Sequence, residues 1–140
     1  MKFSKQNGFS LIELLLVIVI IGVLATITFP FLYSAKGSAE NSNAYASLRT
    51  TSSAQVSFFG QNGRFARLDE LNTSQTGALG TTVGTELIRG KFTFQMSPAS
   101  PTNGELRDGY TVIATKAVIG SELPYVISVD QTGEIVQVLP

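Results

Sequence analysis

The stretch Gly8-Phe9-Ser10-Leu11-Ile12-Glu13, continuing as LLLVIVIIGVLATITFPFLY over residues 14–33, decides how this chain is read. The 20 residues from Leu14 to Tyr33 carry no charge. As a helix they are long enough to span the ~30 Å hydrocarbon core of a bilayer. One carboxylate, Glu13, stands at the mouth of that run. An acid beside a membrane-length segment is costly to desolvate, so it needs a purpose or a partner.

The residues ahead of the run, MKFSKQNG, are short, mostly polar and carry Lys2 and Lys5. Positive charge in front of an apolar segment keeps the amino end cytoplasmic and sends the carboxyl end across the membrane. Three outcomes fit that topology. A secretory signal peptide would be removed near Gly37-Ser38-Ala39, although the run exceeds the usual h-region of roughly 7–15 residues. A plain single-span anchor would leave Glu13 near the headgroups, where an acid in the first helical turn complements the helix dipole by about 0.3–1 kcal/mol. In the third, cleavage just after Gly8 would give Phe9 a new α-ammonium and make Glu13 the fifth residue of the shortened chain. An α-amine with a pKa of roughly 7.7–8.0 is largely cationic at neutral pH. Every subunit would then carry a cation able to pair with a buried carboxylate.

Gly8, Phe9 and Glu13 within GFSLIELLLVIVIIGVLA (8–25) resemble the class III signal of type IV pilins and the related pseudopilins. The resemblance implies that a prepilin peptidase cuts between Gly8 and Phe9 and N-methylates Phe9. It further implies that Glu13 pairs with the amino terminus of a neighbouring subunit during assembly.

Helical character is predicted to continue to about Phe59, through Ala35, Ala39, Ala44, Ala46, Leu48 and Ala54, with Gly60 and Gly63 as a stop. Phe9–Phe59 as continuous helix would be ~75 Å long at 1.5 Å per residue, more than so short a chain can bury in a globule. The first half must therefore lie in lipid or against copies of itself. Gly22 weakens helix by about 1 kcal/mol relative to Ala, and Pro30 lacks an amide donor and clashes with the preceding turn. Either this is a tolerated kink or Gly22–Pro30 unwinds when subunits pack. The resemblance favours unwinding, because family pilins with a glycine and a proline so placed lose helix there inside the filament. Farther along, Tyr45, Leu48, Val56 and Phe59, with Ser52 between, fall on one helical face and are expected to pack on a sheet.

The remaining segments predict a small sheet. AQVSFFGQNGRFARLDEL is similar to the aromatic-x-x-x-x-Gly-x-aromatic-then-Leu stretch that ends the long helix in many pilin-like proteins, with a short helical turn expected at Leu68–Leu71. Thr73–Thr85 is Thr- and Gly-rich and reads as a loop. Strands are expected at Lys91–Ser97, Tyr110–Ala117, Tyr125–Val129 and Glu134–Val138. Pro98-Ala99-Ser100-Pro101 and Asn103-Gly104 mark the loop between the first two. Asp130-Gln131-Thr132-Gly133 makes a tight hairpin with Gly133 left-handed.

Composition narrows the chemistry. The 140-residue chain has formal net charge zero and neither Cys nor His. That removes disulfide staples, the commonest zinc constellations and the Ser-His-Asp or Cys-His catalytic arrangements. No basic block suggests nucleic acid. Asp130 and Glu134 fall short of the six to eight oxygen ligands typical of calcium, and no metal or cofactor is assigned. The helix aromatics Phe29, Phe31, Tyr33, Tyr45, Phe58 and Phe59 are read as packing groups.

These readings give an α+β chain: a long amino-terminal helix, kinked near Gly22–Pro30, packed on an antiparallel sheet of three to four strands. Residues 1–8 are the cleaved leader, 9–33 the transmembrane and assembly half of the helix, 34–60 its amphipathic half, and 61–140 the globular head. The resemblance implies the pilin fold and a non-enzymatic structural subunit, a major pilin, that polymerises with copies of itself. Its partners would be prepilin peptidase, the inner membrane and the pilus assembly machinery. It would lie in the inner membrane before assembly and in an extracellular filament afterwards. The alternatives are a pseudopilin of a type II secretion system, in a periplasmic pseudopilus, and, from another class, a periplasmic binding domain held by a single span.

Overall fold

A computed structural model describes residues 8–116 and 124–139, and the chain divides into two compact units, Met1–Ser38 and Ala39–Pro140. Helix α1 runs unbroken from Leu11 to Asn62 and contains Pro30. In the first unit its large apolar side chains, from Leu11 to Tyr33, are all exposed. A 52-residue helix cannot be stabilised by propensity alone when it shows that much apolar surface to water. This surface is suited to lipid or to other helices.

In the second unit α1 is followed by α2 (Leu68–Ser74), β1 (Thr81–Val83), β2 (Glu86–Arg89), β3 (Phe92–Met96), α3 (Glu105–Asp108), β4 (Thr111–Lys116), β5 (Val126–Asp130) and β6 (Ile135–Leu139). Among the described residues the strands form one antiparallel meander in the order β1-β2-β3-β4-β5-β6. This is an α+β, pilin-like arrangement. Four of the strands fall where the sequence predicts them, with Ala117 outside the described residues. The sheet has six strands rather than three or four, because the segment read as a loop ends in β1, and β2 follows it. Val83 pairs with Glu86 and Arg89 with Phe92. Each hairpin is closed by a two-residue turn whose first residue is a glycine at positive φ, Gly84 and Gly90. Such turns match the right-handed twist of the strands they join.

The core lies between the second half of α1 and the sheet. Phe92, Phe94, Met96, Val112, Ala114, Ile127 and Val129 supply its sheet side. The helix presents Ala44, Ser47, Leu48, Thr51, Ala54 and Gln55 to it. This corrects the predicted stripe: Leu48 is fully buried, but Tyr45, Val56 and Phe59 are 37%, 62% and 38% exposed. Large sheet side chains leave room only for small helix residues at closest approach, which displaces the aromatics to the rim. There Tyr45 donates from Oη to the Ile135 carbonyl at 3.1 Å, and the Phe59 ring stacks 4.7 Å from that of Phe65.

Helix α1 stops at Asn62. Gly63 takes φ +67° and donates from its amide to the Phe59 carbonyl at 2.8 Å, the left-handed residue that commonly ends a helix. Gln55, fully buried, then fixes the returning chain. Its Nε2 donates to the Ala66 carbonyl and its Oε1 accepts from the Ala66 amide, both at 2.8 Å. At the far hairpin Gly133 has φ +79°, as expected, and the Asp130 carboxylate accepts from the Thr132 amide and hydroxyl.

Candidate assembly site at the amino-terminal helix

Gly8, Phe9 and Ser10 precede the helix in non-helical conformation and are exposed; the Phe9 side chain is 87% exposed. A non-helical, exposed Gly8-Phe9 bond suits a protease, because neither tertiary packing nor a helical hydrogen bond has to be undone first. Residues 1–7 of the expected leader lie outside the described residues.

Ser10 stands at the N-cap position. Its carbonyl accepts from the Leu14 amide at 3.2 Å. Its own amide donates to Glu13 Oε2 at 2.9 Å. Glu13, third residue of the helix, thus reaches back to the N-cap amide, which is half of a capping box. The spacing Ser10-x-x-Glu13 carries this signal in the sequence. In the uncut chain the carboxylate is therefore tied to a backbone amide one residue from the expected cut.

Beyond Glu13 the helix is long and apolar enough to cross a membrane, with no part of that window buried. Gly22 and Pro30 both sit inside helical structure. A Cβ added at Gly22 would meet nothing within 4 Å, so no packing within the single chain requires glycine there. Pro30 offers no amide to the Thr26 carbonyl four residues back. Nearby, the Thr26 and Thr28 hydroxyls donate to the Val23 and Leu24 carbonyls at 2.7 and 2.8 Å. Such back-bonding competes with the backbone ladder and bends helices. The segment from Gly22 to Pro30 is thus helical, with a weakened hydrogen-bond ladder.

The acids and bases of the head are mostly committed to structure. Arg64 holds Glu70 through two hydrogen bonds of 2.8 and 2.6 Å, and this bidentate partner lowers the Glu70 pKa against the opposing effect of burial. Glu40, partly desolvated, is nevertheless lowered by Lys116 and Lys91, whose ammonium groups lie 3.2 and 3.4 Å away. Tyr110 is raised by burial and by the nearby Asp130 charge, with its hydrogen bond to Ser52 opposing. Among the described residues no group of three or more acidic, His or Cys side chains is placed to hold a metal.

Comparison with known proteins converges on the same segment. Residues 3–29 match the profile of the prokaryotic N-terminal methylation motif. The chain is 38% identical over 66 residues to the type IV major pilin protein PilA of Myxococcus xanthus (strain DK1622), a stretch covering 46% of this chain and 30% of that protein. The chain thus spans about a third of the length of the curated relative it matches. No solved structure gives a significant match. A methylation motif that runs into an exposed membrane-length helix, with that helix followed by an antiparallel sheet, makes the chain similar to the type IV pilins over this segment.

Proposed function

We propose that this chain is the major structural subunit of a type IV pilus: it waits in the inner membrane, loses residues 1–8 to a prepilin peptidase, and polymerises through its amino-terminal helix. The observation that carries the reading is the single acid, Glu13, at the head of a wholly exposed apolar helix within a methylation-motif match. Cutting after Gly8 gives Phe9 an α-ammonium, which is then methylated. In the polymer the apolar helices from Leu11 to Leu24 pack away from water. The Glu13 carboxylate, leaving the Ser10 amide, meets the amine of a neighbouring subunit. A charge left half-satisfied in that environment is penalised, so the pairing sets the axial position of each new subunit. Gly22 and Pro30 let the intervening helix unwind where packed helices crowd. The sheet and its loops form the outer coat.

The similarity to a major pilin favours this reading over a secretion pseudopilin. Deleting the chain and restoring it separates the two. Loss and recovery of surface filaments in electron micrographs, with protein secretion unchanged, is the expected result. Intact filaments with failed secretion would instead assign the chain to a secretion pseudopilus.

A further inference from the structure

Within the unit Ala39–Pro140, charge is segregated between the two ends of strand β4. At its Lys116 end, the Glu40 carboxylate is shared by Lys116 and Lys91. Arg89 lies next to them, across the two-residue β2–β3 turn. Arg89 is exposed, and no ion pair engages it among the described residues. Glu40, Asn43, Ser47, Thr50, Arg89 and Lys91 line a groove of about 360 Å³. Its one carboxylate already serves two ammonium groups, so the groove is cationic.

The other end of β4 lies ~20 Å away at ~3.3 Å per residue. There α3 is pinned by Leu106, fully buried, whose carbonyl accepts from the Phe65 amide at 2.8 Å. Glu105 is engaged by the Thr102 amide and hydroxyl. Asp108 is exposed and has no ion-pair partner among the described residues. It borders an open depression with Glu105, Tyr110 and Gln131, and Arg107 takes no part in that lining.

We propose that the Arg89–Lys91 groove receives the α3 rim of a second copy of this chain, with Asp108 meeting Arg89. The inference rests on the filament reading above and supplies a contact for its outer layer. Two complementary patches can be met reciprocally across a two-fold axis, which closes a dimer, or head to tail along a growing polymer. The filament reading selects the second, and a ladder of multimers rather than a dimer is its signature. A head-to-tail contact that does not close on itself generates a helical filament. An exposed ion pair contributes little affinity but fixes register and rejects misaligned neighbours.

The absence of cysteine from the chain makes the test clean. Filaments of the double variant R89C/D108C, treated with a short bismaleimide, should give a ladder of covalent multimers, and those of R89C or D108C alone should stay monomeric. Intact double-variant filaments that yield only monomer would overturn the contact, as would dimers from R89C alone. In parallel, R89E and D108R should each cut filament yield several-fold and their combination should recover it. Unchanged yield in both single variants would equally overturn it. Both positions are exposed, and matched thermal unfolding of the detergent-extracted variants guards against misfolding. An unaltered chain that forms no filament would overturn the filament reading itself, a result distinct from failure of the contact.

Discussion

Two side chains do work that their residue types do not advertise. Glu13 accepts from the Ser10 amide, and in the proposed function it accepts from a neighbour's amine once the leader is removed. Glu13→Gln keeps an oxygen for the cap but removes the charge. Both Glu13→Gln and Glu13→Ala are therefore expected to be cleaved and retained in the membrane, and both to assemble poorly. Immunoblots of membrane and sheared fractions read this out directly. Filaments at normal yield from Glu13→Gln would mean that hydrogen bonding, not charge, sets register. Gly8→Ala should block cleavage and leave the full-length chain in the membrane. Gln55 is the second case. Its amide closes both polar groups of Ala66, so Gln55→Ala orphans a buried donor and acceptor, at ~2 kcal/mol or more. For a domain of this size that corresponds to a fall in Tm on the order of 10 °C, measurable by thermal unfolding of the full chain in detergent. Glu13 was conspicuous because it interrupts an apolar frame. Gln55 was not, because a polar residue on a polar-looking helix face gives no hint that a returning backbone will cover it.

At the scale of elements, the boundaries read best were those set by backbone chemistry. Gly63 ended α1 three residues beyond Phe59 because it alone adopts the left-handed conformation there. Gly133 turned β5 into β6 for the same reason. Gly133→Ala forces a Cβ onto φ +79° and is expected to cost about 1 kcal/mol, with a Tm lower by several degrees. Faster amide exchange confined to β5 and β6 would locate the damage. The strands β1 and β2 escaped because their residues, Thr81-Thr82-Val83 and Glu86-Leu87-Ile88-Arg89, sit among Thr and Gly that dilute any alternation. The available signal was the pair of glycines, Gly84 and Gly90, each opening a two-residue turn. The helix face differs from expectation for another reason. Hydrophobic size ranked Tyr45, Val56 and Phe59 above Ala44, Thr51 and Ala54, whereas close helix–sheet approach selects small residues, and a single helix does not reveal what will pack on it.

Across the two units, the first exposes the apolar helix face from Leu14 to Tyr33, and the second carries the ion pairs Arg64–Glu70, Lys91–Glu40 and Lys116–Glu40. Glu70, held below the ordinary carboxylate value of 4.5 by Arg64, binds a proton less readily folded than unfolded. Its contribution is therefore complete above that ordinary value and is lost as pH falls through it toward the lower folded pKa. Glu40 and Asp130 shift in the same direction. The head should thus unfold at lower temperature as pH drops below about 4.5, and Glu70→Gln should flatten that dependence; a melting profile of the variant as steep as the parent's would contradict this.

Cleavage after Gly8 and assembly into a surface filament are read out together by mass spectrometry of the amino-terminal peptide from protein sheared off intact cells. The predicted peptide begins at N-methylated Phe9. A chain still beginning at Met1 and found only in membranes would rule out processing and leave Glu13 as the cap of a single-span anchor.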